Sequence, residues 1–496
     1  MERIRCELLK NKIMSADEAA KLIKNNSLVG TSGFTPAGYP KAVPIALAKR
    51  VDNGEKIQID LFTGASVGYE LDGVLSEKGI IRKRYPYQTN KNLKNFINNG
   101  NVMYNDIHLS HSSEYLKHGF LGKIDVAIIE AIAITENGGI VPSTSVGNSN
   151  VIVENADVVI VEINLSQPLE LEGIHDIYNV NKPPYKEPIP IVNANDKIGT
   201  TYIPCDPNKI KAIVITDIED KTNSVAPIDE LSKQMAENLI EFLNYEVRLG
   251  RLPKNLLPLQ SGVGSVANAV LGGLCNSEFE ELNFYSEVLQ DSVLDLLDLG
   301  KFKICSATSL TISPEKIKYF LDNLSNYKDK IILRPQEISN NPEIIRRLGV
   351  ISINTAIEVD IYGNVNSTHI SGSKMMNGIG GSGDFARNAY VSIFTTPSIS
   401  LNGKVSSIVP FVSHVDHTEH DVMVIVTEKG VADLRGLSPK QRAELIIENC
   451  AHEDYKNMLR DYYKRACDET NKSHTPHLLD EALSWHERFI KTGAMK

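Results

Sequence analysis

Two stretches of the chain read as copies of one another, and that pairing constrains the fold more than any other feature. IDVAIIEAIAITENGGIVPST, Ile124 to Thr144, lines up with ISINTAIEVDIYGNVNSTHI, Ile351 to Ile370. Each holds an apolar strand, a glutamate, a second short apolar run, an Asn/Gly turn and a polar exit. Asn137-Gly138 and Gly363-Asn364 suit hairpins, because these residue types reach the positive-φ backbone that tight hairpin turns require. Further strand patterns at Ser27 to Val29, Ile57 to Thr63 and Val158 to Ile163 alternate with helical ones, such as Ala16 to Asn25, where Ser15 and Glu18 form a capping box. Such alternation predicts an α/β protein with mostly parallel sheets covered by helices. A chain of 496 residues exceeds one ordinary core. The polar, Pro-containing stretch at 217–229 places the expected boundary so that the domains are 1–226 and 227–496, the second opening on a long helix from Asp229 to about Arg248. The charged region from Ser438 onward reads as helices packed outside, with Trp485 a packing anchor.

Composition removes several classes of function. The net charge of −10, with no long Lys/Arg run, argues against nucleic acid as a partner. The longest apolar run, near Val126 to Ile134, is interrupted by Glu130 and is too short to span a bilayer, so no membrane role is expected. Six scattered cysteines without a CxxC pair suit reduced thiols. Met1 to Ser15 carries no targeting pattern, and a cytoplasmic location is the expectation.

Chemistry concentrates in a few places. Leu282 to Tyr285 is strand-forming, Glu287 closes the apolar run, and a helix start follows at Gln290 to Ser292. A carboxylate is thereby predicted at a strand tip before a helix N-terminus, where open α/β sheets place ligands. GTSGFTPAGYP, from Gly30 to Pro40, is a tight loop whose backbone can approach a ligand. LQSGVGSVANAVLGGL places Gly262, Gly264 and Ala267 in the GxGxxA spacing of a dinucleotide fingerprint, with Glu287 near the expected acidic position. On that reading Glu287 holds a ribose hydroxyl of NAD and the chain is an oxidoreductase.

A second glycine turn, GIGGSGDF from Gly378 to Phe385, exposes consecutive backbone N–H groups suited to an oxyanion or a phosphate. Two such turns fit a ligand with two demanding ends better than NAD does. A coenzyme A thioester has a phosphorylated nucleotide at one end and a carbonyl that becomes an oxyanion at the other. SHVDHTEHD, Ser413 to Asp421, clusters three histidines and several carboxylates, but its spacing matches no zinc motif. A hydrogen-bonded structural loop is the expectation there, with no metal. Lys404 is a candidate phosphate contact, with a solvated lysine as the alternative.

Together SGVGSVANAVL, YSEVLQDS, EVDIYGNVNSTHISG, GIGGSGDF, SHVDHTEHDV and ADLRGLSP resemble the acetyl-CoA hydrolase/transferase family of class I CoA-transferases, most closely its succinyl-CoA:acetate branch. The resemblance covers most of the chain. It implies two tandem CoA-transferase-type domains, a homodimer, and coenzyme A thioesters and short-chain carboxylates as substrates, with no permanently bound cofactor. It also implies that Glu287 is the covalent nucleophile, that Gly381 supplies a backbone oxyanion donor and that Asn340 in QEISN assists the thioester. By the same carry-over Gly262, Val263, Gly264 and Gly380 lie along CoA, and Ser66 and Thr89 line the carboxylate pocket. An acyl-CoA hydrolase on the same site is the nearest alternative; an NAD-dependent oxidoreductase and a sensor without turnover are more distant.

Overall fold

The computed structural model describes residues 2–222 and 228–496. The expected boundary at 226 lies outside them. In the first part of the chain the strands are β1 (Leu28–Thr31), β2 (Ile59–Phe62), β3 (Ile81–Tyr85), β4 (Met103–Tyr104), β5 (Ile124–Ile134), β6 (Ile140–Pro142), β7 (Ala156–Asn164) and β8 (Ile210–Thr216). They form one sheet in the order β4-β3-β2-β1-β5-β7-β8, parallel throughout, with β6 antiparallel to β5. Parallel strands need crossovers, and helices such as Ala42–Asp52 supply them.

The strands that follow are β9 (Leu259–Ser261), β10 (Leu282–Tyr285), β11 (Val288–Leu289), β12 (Phe302–Ala307), β13 (Ser309–Leu310) and β14 (Ile331–Leu333). After them come β15 (Ile351–Thr355), β16 (Glu358–Asp360), β17 (Val365–Asn366), β18 (His369–Ile370), β19 (Lys374–Met375) and β20 (Val391–Thr395). The last are β21 (Ile399–Ser400), β22 (Val405–Ser406), β23 (Ile408–Val409), β24 (Val424–Thr427) and β25 (Gly430–Asp433).

Two compact units are present, and they do not follow the halves of the sequence. Residues 283–297 and 303–348 group with 1–224, while 225–282, 298–302 and 349–496 form the second unit. Glu287, expected in the second half with the CoA loops, therefore belongs to the first unit. That unit also contains β10, β12 and β14 as successive neighbours, and β11 paired with β13. In the second unit the order is β9-β15-β20-β24-β25, parallel except for the last pair.

The internal repeat is visible in both units. β5 lies between β1 and β7 and turns back into β6; β15 lies between β9 and β20 and leads to the β16-β17 hairpin. Gly138 and Gly363 take φ of 84° and 97°, the left-handed region both turns need. The paired glutamates share a role as well. Glu130 accepts from Ser143 Oγ at 2.7 Å, and Glu358 from Asn366 Nδ2 at 2.9 Å, each bond spanning its hairpin inside the core.

Polar groups buried in the first unit fix the loop after β1. Lys41 is fully buried and ion-paired to Glu130 and Asp220. Glu162, on β7, accepts from the N–H groups of Lys41, Ala42 and Val43 at 2.8, 3.1 and 2.7 Å. A buried carboxylate thus satisfies the first turn of the helix Ala42–Asp52, which has no side-chain cap of its own.

Local expectations fare unevenly. The Ser15–Glu18 capping box forms, but its helix stops at Ala20 rather than Asn25. The long helix expected from Asp229 forms over Glu230–Arg248, with Asp229 as its cap. Trp485 is buried against Tyr455 in the core of the second unit.

Candidate active site

Glu287, expected at the strand tip itself, sits in the bend between β10 and β11, two residues beyond the end of β10 at Tyr285. Its backbone is held firmly. The carbonyl accepts from Thr308 N at 2.9 Å and Ser309 N at 3.1 Å, and Ser286 N donates to Ser306 O at 2.9 Å. The residue is half-buried, and desolvation pushes its carboxyl up to about 7. Against that shift works Asn340, whose Nδ2 donates to Oε1 at 2.8 Å and favours the ionised form.

Asn340 is fully buried at the end of the short helix Gln336–Ser339. Two bonds place that helix. Tyr285 Oη donates to Ile338 O at 2.6 Å, and Gln336 N donates to Gly147 O at 2.9 Å. Tyr285 is on β10, so the strand that delivers Glu287 also holds the helix that delivers Asn340. Replacing Tyr285 by phenylalanine removes one buried bond, while the Ile338 carbonyl keeps Asn341 N at 3.1 Å. The expected cost is about 0.5–1.5 kcal/mol in denaturant unfolding, with a measurable loss of activity as Asn340 drifts.

Loops of the first unit gather at the residue after Glu287. Val288 packs with Phe34 from the first glycine loop, Ala65 from FTGASVG, and Leu109, with Tyr87 of PYQTN alongside. Ser309 Oγ donates to Phe34 O at 2.7 Å. The backbones come too close for side chains at Gly64, where a Cβ would lie 2.4 Å from Gly33 O and 3.1 Å from Gly147 Cα. Ser66 is buried in this loop system, whereas Thr89 is exposed. A half-buried carboxylate with a fixed amide donor, beside an apolar patch, can act as a nucleophile toward a small acyl group.

In the second unit, β9, the turn 262–264 and the helix Ser265–Cys275 form a strand, glycine turn and helix in sequence. Gly262 N donates to Ile353 O at 3.0 Å, Val263 is 55% exposed, and Gly264 has φ of 120° with open space where a side chain would project. Backbone N–H groups at such a turn can meet a phosphate. Gly380 has φ of 57°, and Gly381 caps the helix Ser382–Asn388. Lys404 is exposed on the β21-β22 hairpin.

The histidine loop is a hydrogen-bonded structure. Asp416 accepts from Ser367 N at 2.7 Å and Thr368 Oγ1 at 2.8 Å, and His417 packs on Phe394 with ring centroids 4.7 Å apart. Among the described residues no group of three or more His, Cys, Asp and Glu side chains is placed to hold a metal ion. No helix among them is long and apolar enough to cross a membrane.

Sequence reasoning missed Tyr285, Thr308, Ser309 and Phe34. A usable signal existed for two of them, since TSLTIS, Thr308 to Ser313, follows β12 directly and such hydroxyl-rich runs bond to neighbouring backbone.

Comparison with known proteins follows the same lines. The N-terminal domain model of the acetyl-CoA hydrolase/transferase family matches residues 2–215, and its C-terminal domain model residues 317–463. The chain is 60% identical to succinyl-CoA:acetate CoA-transferase of Clostridium kluyveri over 496 residues, covering all of this chain and 92% of that protein. It is 47% identical to propanoyl-CoA:succinate CoA transferase of Escherichia coli, covering 97% and 98% of the two chains. With acetyl-CoA hydrolase of Schizosaccharomyces pombe the identity is 45%, at 99% coverage of each. Among solved structures, 4-hydroxybutyrate CoA-transferase of Porphyromonas gingivalis superposes with a TM-score of 0.66 at 21% identity, covering 92% of this chain and 99% of that one. RipA of Yersinia pestis gives 0.71 at 24%, covering 94% and 99%. At those identities the likeness is one of fold.

Proposed function

The chain belongs to the acetyl-CoA hydrolase/transferase family, and from that premise we propose that it transfers CoA from succinyl-CoA to acetate through a glutamyl-CoA thioester on Glu287. The observation that carries the mechanism is the Glu287 carboxyl, held 2.8 Å from Asn340 Nδ2 at the edge of an apolar patch. Length-wide identity of 60% to a succinyl-CoA:acetate CoA-transferase supports the substrates.

The steps balance without any co-reactant. A Glu287 oxygen attacks the thioester carbonyl, the C–S bond breaks, and CoA thiolate leaves an acyl-glutamyl anhydride. The thiolate then attacks the glutamyl carbonyl and expels the first carboxylate, leaving CoA on Glu287. The incoming carboxylate reverses the sequence. Each addition puts negative charge on a carbonyl oxygen, and fixed N–H donors lower that barrier. In this reading Gly381 N–H is such a donor, and Asn340 orients the glutamyl group. Gly262, Val263, Gly264 and Gly380 follow the CoA chain, Lys404 meets a phosphate, and Ser66 and Thr89 face the acceptor carboxylate. Binding of the remote nucleotide drives the reacting end into place.

Two tandem domains, 1–226 and 227–496, a homodimer and a cytoplasmic location complete the proposal. The repeated strand and hairpin support the first, and six free cysteines support a reducing compartment.

The acetyl-CoA hydrolases among the relatives favour one second reading, in which water rather than a carboxylate opens the anhydride. CoA release from succinyl-CoA, followed with and without acetate, separates them. Acetyl-CoA formation that far outruns acetate-independent thiol release is the expected result. Release at the same rate without acetate would make the protein a hydrolase.

A further inference from the structure

The histidine loop from Ser413 to Asp421 holds no place in the mechanism above, yet it touches the second glycine turn directly. Ser382 N donates to Ile379 O at 3.3 Å, closing a four-residue turn over Gly380 and Gly381. Gly380 at φ 57°, with Gly381 at φ −94° and ψ 0°, has the φ values of a type II′ turn, whose first central residue is glycine. In such a turn the central amide stands across the turn plane and takes no part in closing it. That central N–H belongs to Gly381.

The side chain of Ser382 braces the same turn a second time. Its hydroxyl donates to Ile379 O at 2.7 Å, and its Oγ lies 3.1 Å from His417 Nε2. A hydroxyl has one hydrogen. With that hydrogen given to Ile379, the contact with His417 needs a proton on Nε2, so the imidazole donates and Ser382 accepts. Ser367 Oγ also lies near Nε2, at 3.4 Å.

His417 is itself fixed. It is 2% exposed, its ring packs on Phe394, and its backbone exchanges bonds with Val365 at 2.8 and 3.1 Å. Asp416 beside it is tied to Ser367 and Thr368.

We infer that His417 is a positioning residue for the transfer reaction: through Nε2–H and the Ser382 hydroxyl it locks the Ile379–Ser382 turn and sets the direction of the Gly381 N–H. The inference rests on the reading of Gly381 as the oxyanion donor. It gives the histidine loop a reason to be rigid that neither metal binding nor contact with substrate supplies.

Formation of the covalent CoA adduct tests it, followed by rapid quench and intact mass with succinyl-CoA and no acceptor. His417→Phe keeps an aromatic ring against Phe394 but cannot donate; Ser382→Ala removes the acceptor. Each is expected to slow adduct formation at saturating succinyl-CoA by about 10- to 100-fold, with KM changed by less than about threefold. His417→Gln, whose amide can donate from a similar position, recovers most of the rate. The double variant is no slower than the slower single one, because each single change already removes the His417–Ser382 bond. Should the His417 variants unfold, Ser382→Ala carries the test alone, as deletion of one hydroxyl at a half-buried position. Wild-type rates in Ser382→Ala, losses that multiply in the double variant, or a His417→Gln no faster than His417→Phe would overturn the inference while leaving the glutamyl-CoA mechanism standing. A wild-type enzyme that forms no adduct overturns that mechanism and this inference with it.

Discussion

Replacing Glu287 by alanine lowers kcat/KM for CoA transfer by about four orders of magnitude or more, the scale of losing a covalent nucleophile. Glutamine at this position performs no better, since its amide cannot form the anhydride. The effect appears in kcat, because the side chain reacts rather than binds. Steady-state rates with succinyl-CoA and acetate measure it. A variant that keeps a tenth of the activity would mean that another group carries CoA.

The same residue ties activity to stability. Burial pushes the Glu287 carboxyl up to about 7, above the range of an unfolded glutamate. Between those values the unfolded chain has already released the proton that the folded one retains. Native stability contributed at this site is therefore full at acidic pH and declines as pH rises toward about 7. Glu287→Gln should raise the unfolding midpoint above pH 7 and lose that advantage in acid. A midpoint difference that does not vary with pH would show that the carboxyl is not desolvated.

Asn340→Ala is expected to cost about 10²- to 10³-fold in kcat, the loss typical of one fixed donor to a reacting oxygen. It should also move the pH profile. Transfer needs the Glu287 carboxylate, so kcat/KM falls as pH drops through its pKa, about 7 in the intact site. Asn340 donates to Oε1 and stabilises the ionised form. Its removal shifts the acid limb to higher pH. Asn340→Asp, which places a second carboxyl beside the first, shifts the limb further in the same direction. An unmoved limb in Asn340→Ala would separate Asn340 from Glu287 in solution.

Much of this site is legible in the sequence because its parts follow local rules. The hairpins at Asn137-Gly138 and Gly363-Asn364 and the turns at Gly262 and Gly380 each need particular residues at particular positions, and each forms. Glu287 follows the end of β10 by two residues instead of closing it, and a short strand, Val288–Leu289, stands between it and the helix at Asp291. What the sequence does not reveal is held by long-range contacts. Tyr285 reads as an ordinary strand residue, and its hydroxyl bond to Ile338 spans 53 positions. Phe34 reads as part of a loop, and its role beside Val288 depends on Ser309, 275 positions away. The packing of 283–297 and 303–348 into the first unit has the same origin, because it joins segments distant along the chain whereas the repeat follows sequence order. Local pattern also overshoots where tertiary context ends an element early, as at Ala20, where the apolar periodicity continues but the helix does not.

Incubating the protein with succinyl-CoA and no acceptor, followed by intact mass and peptide mapping, tests the central claim most directly. One CoA-sized adduct per chain, mapping to Glu287 and absent in Glu287→Ala, is the predicted result. An adduct on Cys275 or Cys305, or none on the wild-type protein, would contradict it.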